Sequence, residues 1–268
     1  MKLTIAEDIS VAPAPPDLSD ASATVWRDGA GEVVALGQTI DGAHWVHVPG
    51  RGAYTFPRET GDVTAVPEPG TEGHLVEDTF RRIILPLALQ AQGHEVLHAS
   101  AVRTSAGVVA LCAVAGTGKS TLACALSRRG HRLWADDAVC LEFAAGRGVD
   151  VRPLPFTLRL RPASAAFFGG APRQGAVRVP EETAPLAQIL VIERAESGSP
   201  EIERLPPAAA FREVLTHGYC FDVHDRARNQ TMVRHYLELV DRIPAYRVKV
   251  SGGLDRLDDT LDVIESAS

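Results

Sequence analysis

The 268-residue chain has no apolar run approaching the roughly 20 residues that a membrane-crossing helix needs. It also lacks a signal-peptide apolar stretch. Met1-Lys-Leu-Thr-Ile-Ala-Glu-Asp8 brings in acids almost at once. A cytoplasmic protein is the expectation. Basic residues are in deficit, with 27 Lys and Arg against 34 Asp and Glu and a net charge of −7. Non-specific binding to nucleic acid or a membrane surface wants a basic patch, so neither is expected as a partner. Cysteine is scarce. Cys112, Cys124, Cys140 and Cys220 form no Cys-x-x-Cys pair, which argues against a structural zinc site. Three of them lie in apolar segments and read as small core residues. There is no long repeat or low-complexity tract. What remains is an ordinary globular composition, 45% hydrophobic and 23% charged, long enough for one large domain or two small ones.

One stretch stands out, Gly107-Val-Val-Ala-Leu-Cys-Ala-Val-Ala-Gly-Thr-Gly-Lys-Ser-Thr121. Val108 to Val114 reads as a buried strand. The chain turns through Gly116-Thr117-Gly118 and enters a helix, Ser120 to Arg129, closed by Gly130. Strand, glycine turn, Lys-Ser and helix in that order are the context of a phosphate-binding loop. Glycines let successive N–H groups point into one concavity, and the helix N-terminus adds unpaired donors. Ala115, Gly116, Thr117, Gly118, Lys119, Ser120 and Thr121 are thus the candidate phosphate-binding residues of a nucleotide site. Lys119 would reach the β- and γ-phosphates and Ser120 would ligate Mg²⁺. Ala113 stands where the usual pattern begins with glycine. The plainer alternative is a glycine-rich turn of any doubly wound protein.

Two neighbouring segments bear on this loop. Val96 to Val102 reads as a short strand carrying His98, antiparallel to the loop's strand. His98 is either a satisfied core residue or a site residue. After the helix, Asp136-Asp137 interrupts the apolar run from His131 to Glu142. Adjacent acids there cost desolvation unless they end the strand or meet a cation. One can help hold Mg²⁺, with Asp136 the metal candidate, and the other can take a hydroxyl proton. A solvated turn is the alternative. Phe156, Leu158 and Leu160 alternate with Thr157, Arg159 and Arg161, which predicts a strand with an arginine face. Those arginines either contact phosphate or form a solvated face.

The remaining segments set the frame. Short β-like runs at 23–26, 32–36, 44–48 and 53–56 predict a small N-terminal β-sheet. His44 and His47 could be imagined as a metal pair, but solvent-facing strand positions are the favoured reading. Glu72 to Gln92 has helical spacing, with Pro86 expected to kink or divide it. The stretch from Ala171 to Glu182, with Arg173 and Arg178, reads as a mobile loop. A strand at 186–193, a hairpin partner at 201–205 and a helix at 206–216 follow. A helix to about Arg242, a strand at 245–250 and a closing helix at 254–265 end the chain.

Leu97-His-Ala-Ser-Ala-Val102, Ala115-Gly-Thr-Gly-Lys-Ser-Thr-Leu-Ala123 and Ser127 to Val139 together resemble the catalytic domain of HPr kinase/phosphorylase and its relatives. These share a nucleotide-binding core with phosphoenolpyruvate carboxykinases. The resemblance implies an α/β fold: a mixed sheet flanked by helices over 71–268, after a β-rich domain over 1–70. It implies ATP and Mg²⁺ as cofactors and a phosphotransferase with Asp136, Asp137, His98 and Lys119 as catalytic residues. No Arg-Gly-Leu-Gly segment is present, and Arg226-Ala-Arg-Asn229 matches the family's later Gly-Arg-Asn motif only weakly. Arg228 joins Arg159 and Arg161 as a candidate phosphate or substrate contact. HPr is therefore not the expected substrate. Relatives of this shape are similar to kinases that phosphorylate a serine of ribosomally made, lasso-type precursor peptides. A small hydroxyl-bearing molecule is the next choice, a non-transferring nucleotide-binding module a third. Homo-oligomerisation is left open.

Overall fold

The structure is a computed structural model that describes residues 1–6, 23–27, 30–40, 42–57, 62–143, 148–170 and 182–267. The proline-rich Val11–Pro16 and the loop bearing Arg173 and Arg178 lie outside them. Two compact units emerge, one of residues 1–94 with 219–231, the other of 95–218 with 232–268. The sequence reading divides the chain at 70. The contacts instead group the helical segment after it with the N-terminal sheet.

The first unit carries a six-stranded sheet of β1 (Leu3–Ile5), β2 (Thr24–Arg27), β3 (Val33–Ile40), β4 (Ala43–Val48), β5 (Gly52–Pro57) and β6 (Val63–Pro67). Its order is β1-β6-β5-β4-β3-β2, antiparallel except for the β1–β6 pair. In β4 burial alternates, with His44, Val46 and Val48 inward. The solvent-facing expectation for His44 is therefore corrected. Its ring packs 5.3 Å from Phe56 and 4.6 Å from Phe221, with Nδ1 2.9 Å from Thr39 Oγ1. Period two reveals alternation but not which phase faces the core. His47, on the opposite phase by spacing, lies half-buried beside Glu68. Helices α1 (Gly73–Thr79) and α2 (Leu85–Ala91) flank a π-turn at Phe80–Ile84. Pro86 has no N–H to give to a carbonyl four residues back, and the helix loosens one turn before it.

The second unit is a mixed sheet flanked by helices, the fold class expected. Its strands are β7 (Glu95–Leu97), β8 (Ala99–Arg103), β9 (Val108–Cys112), β10 (Arg132–Ala135), β11 (Val139–Phe143), β12 (Val149–Arg152), β13 (Ala184–Arg194), β14 (Glu201–Arg204) and β15 (Ala245–Val250). Helices α3 (Lys119–Arg128), α4 (Pro162–Phe167), α5 (Pro207–Leu215), α6 (Arg226–Arg242, of which only the part from Met232 belongs to this unit) and α7 (Leu257–Ser266) follow. The order is β10-β8-β9-β13-β12-β11-β7, with β15 beside β13 and β14 beside β15. The β9–β13 and β13–β15 pairs are parallel. All five residues of β9 are buried, as expected of a strand covered on both faces. Helix α3 lies on β8, β9 and β10 and buries Leu122, Ala123, Cys124, Ala125 and Leu126. Burying each leucine contributes about 1.5–3 kcal/mol, enough to fix the loop that joins β9 to α3. At the other end of α3, Arg129 bonds Asp258, Asp262 and Glu265 of α7.

Two strand expectations need correction. The run 96–102 breaks at His98: β7 pairs with β11, whereas β8 pairs with β9 and β10. The segment 153–160 joins no ladder. Pro153 and Pro155 have no N–H to donate, although Leu154, Phe156 and Leu158 remain buried in strict alternation. Alternation there reports packing, not pairing. Among the described residues no helix is long and apolar enough to cross a membrane.

Candidate active site

The loop after β9 turns through two glycines with positive φ, Gly116 at 88° and Gly118 at 120°. Both lie where L side chains rarely go. Gly118 is the N-cap of α3, and no side chain caps it. The first-turn N–H groups of α3 therefore remain open to an anion. Lys119 begins the helix yet is only 7% exposed. Its Nζ donates to Ala113 O at 2.8 Å and lies 3.1 Å from His98 Nε2. An ammonium can only donate, so His98 Nε2 accepts and Nδ1 carries the proton. That Nδ1 lies 3.2 Å from Asp137 O, and the N–H···O bond closes a chain from Lys119 through His98 to the acid pair. The break between β7 and β8 is what places His98 there. Its backbone N–H donates to His217 O at 2.7 Å instead of to a ladder.

Asp136 and Asp137 follow β10. The plain turn reading covers the backbone, since the pair lies between two short strands, but not the burial. Asp136 is 5% exposed. Its Oδ1 accepts from Ser100 Oγ at 2.6 Å and Ser120 Oγ at 2.9 Å, and its Oδ2 from Arg159 N–H at 3.1 Å. Burial raises its pKa, and neighbouring Asp137 adds to this, while the three donors oppose the rise. Asp137 has φ of 66° and is the one non-glycine residue with positive φ among those described. Backbone held in that region clusters at functional sites. Burial lowers the pKa of Lys119, against the pull of Asp137, Cys112 and Asp136. Burial also pushes the thiols of Cys112 and Cys140 up to about 12, so neither is a reactive thiolate.

Ser120 Oγ and the Asp136 carboxylate form a hard-oxygen donor set, which suits Mg²⁺ held jointly with substrate phosphates. Among the described residues no group of three or more His, Cys, Asp and Glu side chains could hold a metal by itself.

The arginine and threonine candidates divide. A Cβ placed on Gly116 would lie 2.7 Å from Arg161 Nη2, so this guanidinium rests on the loop. Arg159 brings its backbone N–H to Asp136. The Thr121 hydroxyl is bonded to Ser164 Oγ at 2.9 Å and so faces α4. Arg228 donates to Gln90 O and His94 O at 2.9 and 2.7 Å, closing the chain after α2. Two of its guanidinium nitrogens are thus committed to backbone carbonyls.

Sequence reasoning missed Ser100 and His217. Ser100 stands two residues after His98, and strand period would have paired them. His217 is 119 positions from His98, and nothing local marks it. Burial pushes His217 down to about 4, helped by Lys119 and His98. The native ring is then neutral while the unfolded one protonates below about 6.5. Stability should therefore fall as pH drops from 6.5 towards 4. His217→Gln is expected to flatten that part of the profile, read from urea midpoints across the window.

A scan against protein-family models finds no match, and a search of the curated proteins finds none. Among solved structures the chain is similar to the HPr(Ser) kinase/phosphatase from Coxiella burnetii, at 13% identity and a TM-score of 0.37, over 64% of this chain and 95% of that one. A likeness of that score says nothing of what this site does.

Proposed function

We propose that the protein is an ATP-dependent kinase that transfers the γ-phosphate to a hydroxyl, with a serine of a ribosomally made precursor peptide as acceptor. The supporting observation is the convergence at the N-terminus of α3. Lys119, Ser120, Asp136 and, through His98, Asp137 are linked there by contacts of 3.2 Å or less. The short sequence blocks that resemble HPr kinases contain these same residues.

In this reading the loop amides and Lys119 hold the phosphate chain. The γ-phosphate draws Lys119 away from Ala113 O and His98. Ser120 and Asp136 would hold Mg²⁺, which would supply neutralisation of the phosphate charge. Asp137 accepts the acceptor's hydroxyl proton. The hydroxyl oxygen forms the new bond to the γ-phosphorus as the bond to the β-γ bridging oxygen breaks, and ADP leaves with that electron pair. Such transfer relies on positioning and charge stabilisation more than on covalent chemistry from the protein. His98 keeps Lys119 and the Asp137 backbone in register.

Full-length protein incubated with Mg²⁺-ATP and serine-bearing peptides is expected to give a phosphate-sized mass gain, lost when EDTA removes the metal. Replacing the peptide serine with alanine should also abolish the gain. Transfer to small alcohols but to no peptide would overturn the acceptor class. Nucleotide binding with transfer to no hydroxyl at all would overturn the kinase reading.

A further inference from the structure

We infer that residues 159–164 form an arm that grips the phosphate chain from outside the loop, with Arg161 as a second cation opposite Lys119. This rests on the nucleotide-binding reading of the loop. The first observation is the contact itself. Arg161 Nη2, Cζ and Nη1 would lie 2.7, 3.2 and 3.3 Å from a Cβ on Gly116. The guanidinium thus occupies the space a side chain at 116 would need. Among the described residues no carboxylate pairs with it. A cation without an acid partner, seated on a loop whose helix amides are open, is placed for a ligand anion.

The second observation is how the arm is held. Arg161 is extended, with φ of −64° and ψ of 155°, and Pro162 starts α4 directly after it. Ala165 N–H donates to Arg161 O at 2.9 Å. Ser164 bonds Thr121 on α3, and Arg128 of α3 donates to Phe168 O with its guanidinium 4.8 Å from the Phe168 ring centroid. Two fastenings to α3 therefore fix the backbone from which Arg161 projects. The same arm sends Arg159 N–H to Asp136 Oδ2. One short segment thus touches the loop and the metal-holding carboxylate together.

The two cations approach differently. Lys119 is buried and tied to Ala113 O, whereas Arg161 is exposed and its planar fork can hold two phosphate oxygens at once. The arm should favour a polyphosphate over a single phosphate.

The test is calorimetric titration of the full chain with ATP, ADP, AMP and inorganic tripolyphosphate. Arg161→Ala is expected to weaken ATP and tripolyphosphate by about 10- to 100-fold, the range for a charge-assisted pair, and to leave AMP unchanged. Arg161→Lys should recover only part, since it restores charge without the fork. Ser164→Ala should weaken ATP a few-fold by loosening the arm. Arg132→Gln on β10 removes a charge elsewhere and should change nothing. Arg161 is exposed, so its variants should fold, and melting curves without nucleotide would verify this for all four variants. Equal ATP affinity in wild type and Arg161→Ala would overturn the arm. Failure of the wild type to bind ATP would overturn the reading of the loop beneath it.

Discussion

On the proposed kinase reading, Lys119→Met is expected to lose phosphoryl transfer by about three orders of magnitude, yet to leave the ligand-free protein no less stable. The first half follows from position. Lys119 is the buried cation at the start of α3, and preorganised charges aimed at a transferring phosphoryl group supply the largest part of such catalysis. The second half follows from what the ammonium endures without phosphate. Burial disfavours its charge, and two of its three donors are spent on one carbonyl and one imidazole. Methionine fills a similar channel with no charge to desolvate. The pH response separates this from a simple packing effect. The folded pKa lies below the ordinary 10.5, so between the two the unfolded chain holds more protons than the native one. Wild-type stability should rise with pH across that window, and the variant should lack the rise. Initial rates of phosphate transfer and urea midpoints at several alkaline pH values check both halves. A variant with wild-type transfer rates would remove Lys119 from the mechanism.

The acid pair should split into two distinct phenotypes. Asp136→Asn puts an amide where three donors converge, so at least one donor faces an N–H₂ group instead of an oxygen. The Mg²⁺ concentration needed for half-maximal rate should rise about tenfold or more, with a fall in kcat of about 100-fold. Asp137→Asn keeps the backbone unstrained, because asparagine tolerates the left-handed region as well as aspartate does. In the proposed mechanism it removes the proton acceptor alone. The expected loss is about 10²- to 10⁴-fold in kcat, with Mg²⁺ dependence and ATP affinity unchanged. Stability carries a further signature of Asp136. Its folded pKa is raised above the ordinary 3.8, so in that window the native state binds more protons than the unfolded chain. Wild-type stability should drop as pH rises through the window, and Asp136→Asn should abolish the drop. Identical metal titrations for the two variants would refute the division of roles.

The loop, its strand and its helix were legible because local chemistry fixes them. A buried apolar strand, glycines at positive φ and Lys-Ser at a helix start are all neighbours in sequence. Asp136-Asp137 was legible as an anomaly, two acids in an apolar run. Other features depend on distant partners. That Asp136 and not Asp137 takes the buried place is decided by Ser100, Ser120 and Arg159, which no spacing rule connects. His44 alternated correctly yet faced the opposite way, because Phe221 comes to it from 177 positions later. Arg159 and Arg161 looked equivalent by spacing. Arg159 nevertheless meets Asp136 through its backbone N–H, while Arg161 lays its guanidinium on the loop at Gly116.

The return of residues 219–231 to the first unit has a consequence for synthesis. Phe221 packs against His44, Phe56 and Trp26, and its N–H donates to Gln90 Oε1. Cys220 O accepts from Trp26 Nε1. A ribosome that has made only the first 94 residues has made every strand of the N-terminal sheet but not its closing aromatic plug. The sheet must wait while most of the second unit emerges, its inner face open until residue 231 is out. The first-made part of the chain is thus among the last to finish folding, and no fragment ending at residue 94 holds a complete core.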